Sequence, residues 1–305
     1  MRTPSHALIL GVLTLAVVGI SLAAPIVRWS LAESLAKPLA IAFWRMTFSA
    51  LLTGALWVAN SQADRRRPDP RYGSREWALA GLAGLLLAVH FGTWISSLSF
   101  ISVVSSVVLV NTQPIFAALW ASLFLKEFPT RLQWIGIGVS VLGATFMSLG
   151  SGGEGSLLGH FLALVGAATL AAYYVVGRSL RRSTSLWAYV TRVYGVSAVA
   201  LLGGAIVAGS PLVGYPAEAW AVFLALALGP SLLGHTLLNW SLRWLSASLV
   251  NVVSLGESVG AALLAFLWFG EVPSKLTVAG GAVTLLGIAL VLWKRQAGPP
   301  GREEP

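Results

Sequence analysis

The stretch LVNVVSLGESVGAALLAFLWFGEVPS, residues 249–274, is an apolar segment that carries one carboxylate, Glu257, near its middle. An apolar run of about 20 residues is the length that crosses the hydrocarbon core of a bilayer as an α-helix. A related sequence, SSVVLVNTQPIFAALWASLFLKEFPT, occurs earlier at residues 105–130. The stretch therefore predicts a membrane helix that the chain contains twice.

The two copies align without gaps when the first is shifted by 144 residues. Glu127 then meets Glu271, and Gln113 meets Glu257. From residue 117 to residue 143 the alignment has 12 identities in 27 positions. Matches of Leu and Ala carry little information in so apolar a chain, but the repeated Glu-x-Pro step does. The alignment predicts that the chain consists of two related halves.

The composition is that of a membrane protein. Of 305 residues, 56% are hydrophobic and 10% are charged, with a mean hydropathy of +0.79, whereas soluble domains average about 25% charged residues. Whole segments are apolar on every face, which favours helices over barrel strands, because those alternate in polarity. The chain has no cysteine and a net charge of +9, which we attribute to basic cytoplasmic loops rather than to nucleic-acid binding.

Ten apolar segments predict an all-α polytopic membrane protein with ten transmembrane helices. They lie at about 7–27, 38–59, 77–98, 101–125, 131–150, 156–177, 186–208, 217–240, 246–270 and 274–293. The first five form a first repeat, residues 1–150, and the last five a second repeat, residues 156–293. A glycine-rich linker at 151–155 joins the repeats, and residues 294–305 form a short cytoplasmic tail.

The distribution of Lys and Arg predicts the orientation. If the N-terminus is cytoplasmic, 15 of the 20 basic residues lie inside, three lie outside, and Arg45 and Arg192 fall within helices. Basic residues favour the cytoplasmic side, so both termini are expected there. Because each repeat has an odd number of helices, the second enters the membrane from the opposite side. Many transporters built from such inverted repeats bind substrate at the repeat interface near mid-bilayer.

Glu257 is the first candidate for a functional residue, because a charge at a helix centre costs on the order of 2.5–3.5 kcal/mol. Asn251, Ser254 and Ser258 lie near it, so one side of the helix is polar or small. Glu257 either faces a central cavity, where it binds a substrate amine or a proton, or it holds two helices together by a hydrogen bond.

In the first repeat, Gln113 takes the corresponding place, beside Asn111 and Pro114. Proline removes a backbone donor, so we expect this helix to bend at mid-membrane. The two amides either line the cavity or form hydrogen bonds between helices.

His90 and His235 form another pair of corresponding residues, 145 positions apart. Trp94 and Asn239 follow them at i+4, one turn further along the same helix face. The pairing favours a functional role, such as carrying a coupling proton. The alternative is that both are packing residues. No HExxH or HxxE pattern predicts a metal site.

Arg45 and Arg192 correspond as well, 147 positions apart and early in their helices. We expect them to extend to the membrane interface or to pair structurally. The alternative is that Arg45 meets a substrate carboxylate.

The repeated Glu127 and Glu271 lie at helix ends, where we expect them to serve capping or loop geometry rather than transport chemistry. Most of the 13 Trp residues are expected in the interfacial belt. Trp44 and Trp94 could instead offer a flat apolar wall to a ligand.

Three stretches resemble the drug/metabolite transporter superfamily and, within it, the EamA-type ten-helix transporters. They are PLAIAFWRMTFSALL (38–52), NTQPIFAALWASLFLKEFPTRLQWIGIGVSVLGA (111–144) and GESVGAALLAFLWFGEVPSKLTVAGGAVTLLGIAL (256–290). The resemblance implies two inverted five-helix repeats around a central cavity, and the export of small metabolites such as amino acids. That family has a proline after the Glu or Gln in helices 4 and 9. This chain keeps Gln113-Pro114 but has Glu257-Ser258, which leaves a bend in helix 9 open.

We therefore expect a secondary transporter that exports small amphipathic metabolites or amino acids by alternating access, with helices 3, 4, 8 and 9 lining the path. A zwitterionic amino acid would place its amine at Glu257 and its carboxylate at the amides or Arg45. A lipid-carrier flippase or nucleotide-sugar carrier would need several intramembrane cations. An integral membrane enzyme would need a nucleophile–base pair or metal cluster, and a channel or sensory protein is a further alternative.

The expected partners are a small-molecule substrate, the lipid bilayer and a coupling proton, with no nucleic acid, metal or cofactor and no catalytic residue. The oligomeric state is expected to be a monomer or homodimer. The short loops favour the cytoplasmic membrane of a prokaryote.

Overall fold

A computed structural model describes residues 4–63, 73–101, 106, 109–149, 156–270 and 272–293. The regular structure of these residues is helical and includes no β-strand, as the composition predicts. The helices of the first half are α1 (His6–Ser21), α2 (Ala23–Ala32), α3 (Pro38–Ala63), α4 (Ser74–Ser97), α5 (Gln113–Trp120), the π-helix π1 (Ala121–Leu125) and α6 (Arg131–Leu149). Those of the second half are α7 (Leu157–Arg181), α8 (Leu186–Val207), α9 (Ala217–Leu226), the π-helix π2 (Ala227–His235), α10 (Thr236–Ser241), α11 (Ala247–Ser254), α12 (Gly256–Phe269) and α13 (Lys275–Trp293).

Within the described ranges, eight helices are long and apolar enough to cross a membrane, and Gln113–Leu125 is a shorter apolar helix. Large hydrophobic side chains such as Leu51, Phe161 and Val199 remain exposed on the outside of the bundle. In a soluble protein such a surface would aggregate, whereas lipid covers it at no cost. The fold is that of a multi-pass helical membrane protein.

Serine N-caps explain where several helices begin. Ser156, Ser185 and Ser246 precede α7, α8 and α11, and each side chain accepts a hydrogen bond from the backbone N–H three residues later. These bonds satisfy amide groups that the first helical turn leaves without a partner.

Glycines allow α6 and α13 to pack with their backbones in contact. A Cβ built on Gly143 would lie 2.7 Å from the carbonyl oxygen of Gly280, and one on Gly136 would lie 2.9 Å from that of Gly287. Only a residue without a Cβ fits these positions. Under the 144-residue shift, Gly136 corresponds to Gly280 and Gly143 to Gly287. The contact of Gly136 with Gly287 therefore corresponds to the contact of Gly280 with Gly143.

The two helices that contain the repeated stretch are both interrupted at their middle. In the first half, α5 begins at Gln113 after a turn at Asn111 and Thr112, with Pro114 in its first turn. In the second half, α11 ends at Ser254 and α12 begins at Gly256, with Leu255 in the turn between them. The expected bend at Pro114 is confirmed, and an equivalent break occurs without a proline.

The helix from Ala217 to Ser241 changes to π-geometry where Pro230 interrupts it. Proline has no amide hydrogen and cannot complete the regular ladder. The backbone N–H of Thr236 donates to the carbonyl of Ser231, five residues earlier. This π-turn changes which side chains of the helix face the interior.

Candidate functional site

Arg45, on α3, is the most deeply buried charge in the described part of the chain. Its side chain is 0% exposed, so the expectation that it extends to the membrane interface is wrong. Its Nε donates to the Oγ of Ser231 at 2.9 Å, and its guanidinium carbon lies 4.0 Å from the centre of the Phe91 ring. Nη1 and Nη2 are buried and have no hydrogen-bond acceptor among the described residues.

Helix π2 and helix α10 place a polar network beside Arg45. His235 shares a hydrogen bond of 2.9 Å between its Nδ1 and the hydroxyl of Tyr174, and its ring meets the Phe91 ring edge-on at 5.4 Å. The Tyr194 hydroxyl lies 3.0 Å from the Thr236 hydroxyl and donates to the carbonyl of Ser231 at 3.3 Å. Groups from both halves of the chain therefore meet around one guanidinium.

His90, the counterpart of His235 in the sequence, lies in a different environment. Its Nδ1 is 2.9 Å from the carbonyl oxygen of Gly166, and because a carbonyl only accepts, Nδ1 carries the proton. The ring is parallel to that of Trp94, with centroids 5.9 Å apart. Trp94 in turn packs against Gly166. His90 and Trp94 thus join α4 to α7, while His235 faces the Arg45 network.

Asn239 ties the end of the same helix to its neighbours. Its amide nitrogen donates to the hydroxyl of Tyr173 and, at 2.6 Å, to the carbonyl of His235. Its backbone carbonyl accepts from the Nε of Arg181 at 3.2 Å. These contacts describe a side chain that holds helices together.

The two amides of the first half lie against the second half at the helix breaks. The Nδ2 of Asn111 donates to the Oγ of Ser258 at 3.0 Å, and the Nε2 of Gln113 donates to the Oγ of Ser254 at 2.6 Å. Asn111 and Gln113 are both buried, and the Oε1 of Gln113 has no partner among the described residues. The breaks in the two helices thus form a polar crossing.

Glu257 lies in the first turn of α12, next to this crossing, and is half-buried. Within the described part of the chain its carboxylate accepts no hydrogen bond and forms no direct ion pair. It lies in electrostatic range of Arg45. Gln113, the counterpart of Glu257, bonds Ser254. Under the 144-residue shift, Ser254 corresponds to Val110. The apolar Val110 gives Glu257 no equivalent hydrogen bond.

The sequence also singled out Glu127, Glu271 and Trp44. Glu127 closes π1 through its backbone N–H, as expected for loop geometry. Its side chain, however, pairs with Arg178 at 3.0 Å and with Arg182 at 2.5 Å, which joins the two halves. Trp44 donates to the carbonyl of Leu212 at 2.8 Å and packs among other aromatic rings. Glu271 lies outside the described residues.

Sequence reasoning missed Ser231, Phe91, Tyr174 and Tyr194. Serine and aromatic residues are common in membrane helices, so none of them is costly enough to be noticed alone. The Gly-Pro-Ser sequence at 229–231 was the available signal, since proline inside a membrane helix frees backbone groups. No three His, Cys, Asp or Glu side chains of the described ranges come together.

The fold and the buried polar groups define a multi-pass membrane protein whose helix bundle holds charge in its interior. The EamA-like transporter family matches the chain twice, over residues 9–149 and 157–293. The chain therefore belongs to the EamA-like transporter family, whose members are transporters and not enzymes.

Two relatives of similar sequence are transporters or exporters by name. The chain is 30% identical over 202 residues to the "Probable terminal-alkyne amino-acid exporter" of Streptantibioticus cattleyicolor, covering 64% of this chain and 67% of the relative. It is 26% identical over 187 residues to the "Uncharacterized transporter YdfC" of Bacillus subtilis, and the match spans 61% of the length of each chain. A crystal structure of a protein with 16% sequence identity has a TM-score of 0.79 and matches 96% of this chain and 100% of the other, which shows the fold.

Proposed function

We propose that this protein is a secondary transporter that exports small amphipathic metabolites, amino acids or related compounds among them, by alternating access. The substrate crosses between two inverted five-helix repeats, and one repeat rocks against the other. Both termini lie in the cytoplasm, and the membrane is the cytoplasmic membrane of a prokaryote. Ten helices suffice for a monomer, a homodimer is the alternative, and a proton is the candidate coupling ion.

The observation that carries the proposal is the polar network around Arg45. Burying a charge inside a membrane is costly, and such residues mark transport pathways. Here the first half supplies Arg45, and the second half supplies Ser231, His235 and the half-buried carboxylate of Glu257. In many transporters built from inverted repeats the substrate binds at the interface between the repeats, which is where this network lies.

Two observations support the inverted repeat. The family matches the chain once in each half. The glycine contacts between α6 and α13 exchange with each other when the halves are exchanged, as a two-fold axis between the halves requires. The excess of basic residues on one side of the predicted topology supports the orientation.

The choice of amino acids rests on charge and on one relative. A zwitterion needs a cation for its carboxylate and an anion for its ammonium, and Arg45 and Glu257 offer one of each within electrostatic range. The relative from Streptantibioticus cattleyicolor is named as a probable exporter of an amino acid.

Large anionic head groups fit this site less well. A lipid-carrier flippase or nucleotide-sugar carrier would need several cations in the path. Arg192, the second intramembrane arginine, donates to the carbonyl of Ala188 at 2.8 Å and lies over the rings of Trp57 and Trp77 at 4.6 and 4.8 Å. It is thus engaged in contacts apart from the Arg45 network.

Counterflow in proteoliposomes tests the proposal. Vesicles loaded with an unlabelled amino acid should take up the same radiolabelled amino acid faster than empty vesicles, since a carrier exchanges its substrate across the membrane. A panel of the common amino acids would find the transported ones. A channel would give uptake without trans-stimulation, and the absence of trans-stimulation for every compound would contradict the proposal.

Glu257→Gln tests the role assigned to Glu257. The variant keeps the size of the side chain and removes its charge, so the rate of counterflow should fall at least about tenfold. Glu33→Gln, which changes an exposed carboxylate at the end of α2, is the matched control and should leave the rate unchanged. Equal rates in the two variants would make Glu257 a structural residue.

A further inference from the structure

The guanidinium of Arg45 has one side already occupied and one end free. Its Nε is bonded to the Oγ of Ser231 at 2.9 Å, and its face lies on the Phe91 ring at 4.0 Å. Nη1 and Nη2, the two nitrogens at the far end, are buried without an acceptor among the described residues. The donors that remain are thus those of Nη1 and Nη2.

Leaving these donors unsatisfied is unfavourable, because a buried donor without an acceptor has lost its hydrogen bonds to water. Glu257, a group of opposite charge, interacts with Arg45 electrostatically and does not form an ion pair with it. Its carboxylate is half-buried and equally without a partner within the described residues. A cation and an anion from different halves of the chain therefore interact electrostatically without forming an ion pair.

We propose that Arg45 and Ser231 form a carboxylate subsite, in which Nη1 and Nη2 donate to the two oxygens of a substrate carboxylate. The planar end of a guanidinium matches a carboxylate in a two-point contact. Ser231 is a positioning residue, since it touches Arg45 and not the substrate. The ammonium group of the substrate lies toward Glu257. This inference rests on the proposed transport function and adds which atoms of Arg45 bind the carboxylate and which residue positions them.

The π-turn explains how a serine comes to hold Arg45. In a regular α-helix each added residue turns the following side chains by about 100°, so a π-turn changes the relative direction of the residues on its two sides. π-turns are frequent at functional sites for this reason. The carbonyl of Ser231 accepts from the hydroxyls of Tyr194 at 3.3 Å and Thr236 at 3.0 Å. These bonds fix the backbone of Ser231, and its side chain in turn fixes Arg45.

Nη1 and Nη2 are closed to solvent in this conformation. A substrate therefore reaches them only when α3 and π2 move apart from the other helices that enclose Arg45. Alternating access includes such a movement. The carboxylate of the substrate then accepts hydrogen bonds from Nη1 and Nη2, which have no acceptor when the site is empty.

Ser231→Asp is the first test. The new carboxylate would pair with Nε and the Nη next to it and neutralise the guanidinium, so that Arg45 would no longer attract a substrate carboxylate. We expect counterflow of L-leucine, or of the best amino acid from the panel, to fall at least tenfold, while the thermal stability of the purified protein stays the same or rises. Ser231→Thr keeps the hydroxyl and should retain transport, whereas Ser231→Ala should mainly raise KM. Unchanged transport by Ser231→Asp would overturn the subsite.

Substrate analogues give a second test that needs no variant. L-leucine, leucinol, which lacks the carboxylate, and 4-methylpentanoate, which lacks the amine, are compared as competitors of labelled L-leucine in the wild-type protein. The subsite predicts that leucinol competes at least tenfold less well than L-leucine. In Arg45→Gln this difference between L-leucine and leucinol should disappear. Equal competition by leucinol and L-leucine in the wild type would overturn the inference even if Ser231→Asp failed to fold.

The experiments can refute the transport function and the carboxylate subsite separately. If the wild-type protein shows no counterflow with any amino acid, the proposal of amino-acid transport is wrong and the subsite falls with it. If L-leucine exchanges but leucinol competes equally, transport stands and the carboxylate is not read at Arg45.

Discussion

At the scale of single residues, the interior charge depends on the face of one aromatic ring. The guanidinium of Arg45 lies 4.0 Å from the centre of the Phe91 ring, and a cation held on a ring away from water gains about 2 kcal/mol. Phe91→Leu should therefore lower the free energy of unfolding by about 2 kcal/mol or more, measured by thermal or denaturant unfolding in detergent.

Phe146→Leu is the matched control, since Phe146 is exposed on the outside of α6. Its effect should stay within about 0.5 kcal/mol. Equal losses in the two variants would show that the loss reflects ring volume and not the interaction with Arg45.

The residue scale also shows what the sequence could and could not predict. The cost of burying charge was enough to identify Arg45 and Glu257 as candidates from sequence. The pairing of Arg45 with Arg192 and of His90 with His235 suggested equal roles, but the two members of each pair have different surroundings. The repeat conserves the position in the helix and not the neighbours. The proline at 230 indicates an irregular helix beside Ser231, but the direction of the Ser231 side chain could not be predicted, because the π-turn departs from the regular helix period.

At the scale of elements, the break at Leu255 is more instructive than the one at Pro114. A proline predicts its own break, but the second copy has none. In α11 the Nδ2 of Asn251 donates to the carbonyl of Ala247 at 2.8 Å, and the Oγ of Ser254 donates to the carbonyl of Asn251 at 2.8 Å. Side chains that bond these carbonyls compete with the backbone ladder, and Gly256 follows at once. The break in the first half thus coincides with a proline, and the break in the second half coincides with polar side chains.

The crossing of α5 and α11 depends on the bond from Gln113 to Ser254, which is 2.6 Å long. Ser254→Ala would leave the Nε2 of a buried amide without its acceptor. Side-chain hydrogen bonds inside membrane proteins are worth about 0.6 kcal/mol on average and about 1.7 at most, so we expect a loss of about 1 kcal/mol in unfolding free energy.

Ser122→Ala is the control for this element, because the Ser122 hydroxyl donates to the carbonyl of Ala118 in its own helical stretch. Its removal breaks no contact between helices and should change stability by less than about 0.5 kcal/mol. If both variants lose the same amount, the crossing does not depend on this bond.

The packing of α6 on α13 gives a sharper prediction. A Cβ on Gly143 would lie 2.7 Å from the carbonyl oxygen of Gly280, whereas one on Gly138, in the same helix, would meet nothing within 4 Å. Gly143→Ala should force the two backbones apart and lower the apparent melting temperature, with a cost of about 1–3 kcal/mol for overpacking. Gly138→Ala should be neutral or slightly stabilising, since alanine favours a helix. A melting temperature that is the same for both variants would exclude backbone contact between these helices.

At the scale of the whole molecule, the halves are joined at one end by an ion pair. Arg178 donates through Nε to Glu127 at 3.0 Å, and its Nη1 donates to the carbonyls of Leu242 and Arg243 at 2.7 and 3.1 Å. One side chain of the second half thus binds the loop after π1 in the first half and the end of α10 in its own half. The repeat predicted that Glu127 serves the fold, but only the three-dimensional arrangement identifies the partner.

A double-mutant cycle measures what this junction contributes to stability. Arg178 and Arg182 both bond the same oxygen of Glu127, but the Arg178 side chain is 13% exposed and that of Arg182 is 56% exposed. Water screens an exposed pair, whose coupling is about 0.2–1 kcal/mol, whereas a charged hydrogen bond shielded from water contributes about 1.5–3 kcal/mol. The cycle of Glu127→Gln with Arg178→Gln should therefore give the larger coupling energy, and the cycle with Arg182→Gln the smaller one. Unfolding in detergent at low and high salt measures both cycles, and salt should weaken the Arg182 coupling more. Equal couplings with equal salt dependence would mean that Arg178 stabilises the protein through the carbonyls of Leu242 and Arg243, so that the ion pair does not hold the two halves together.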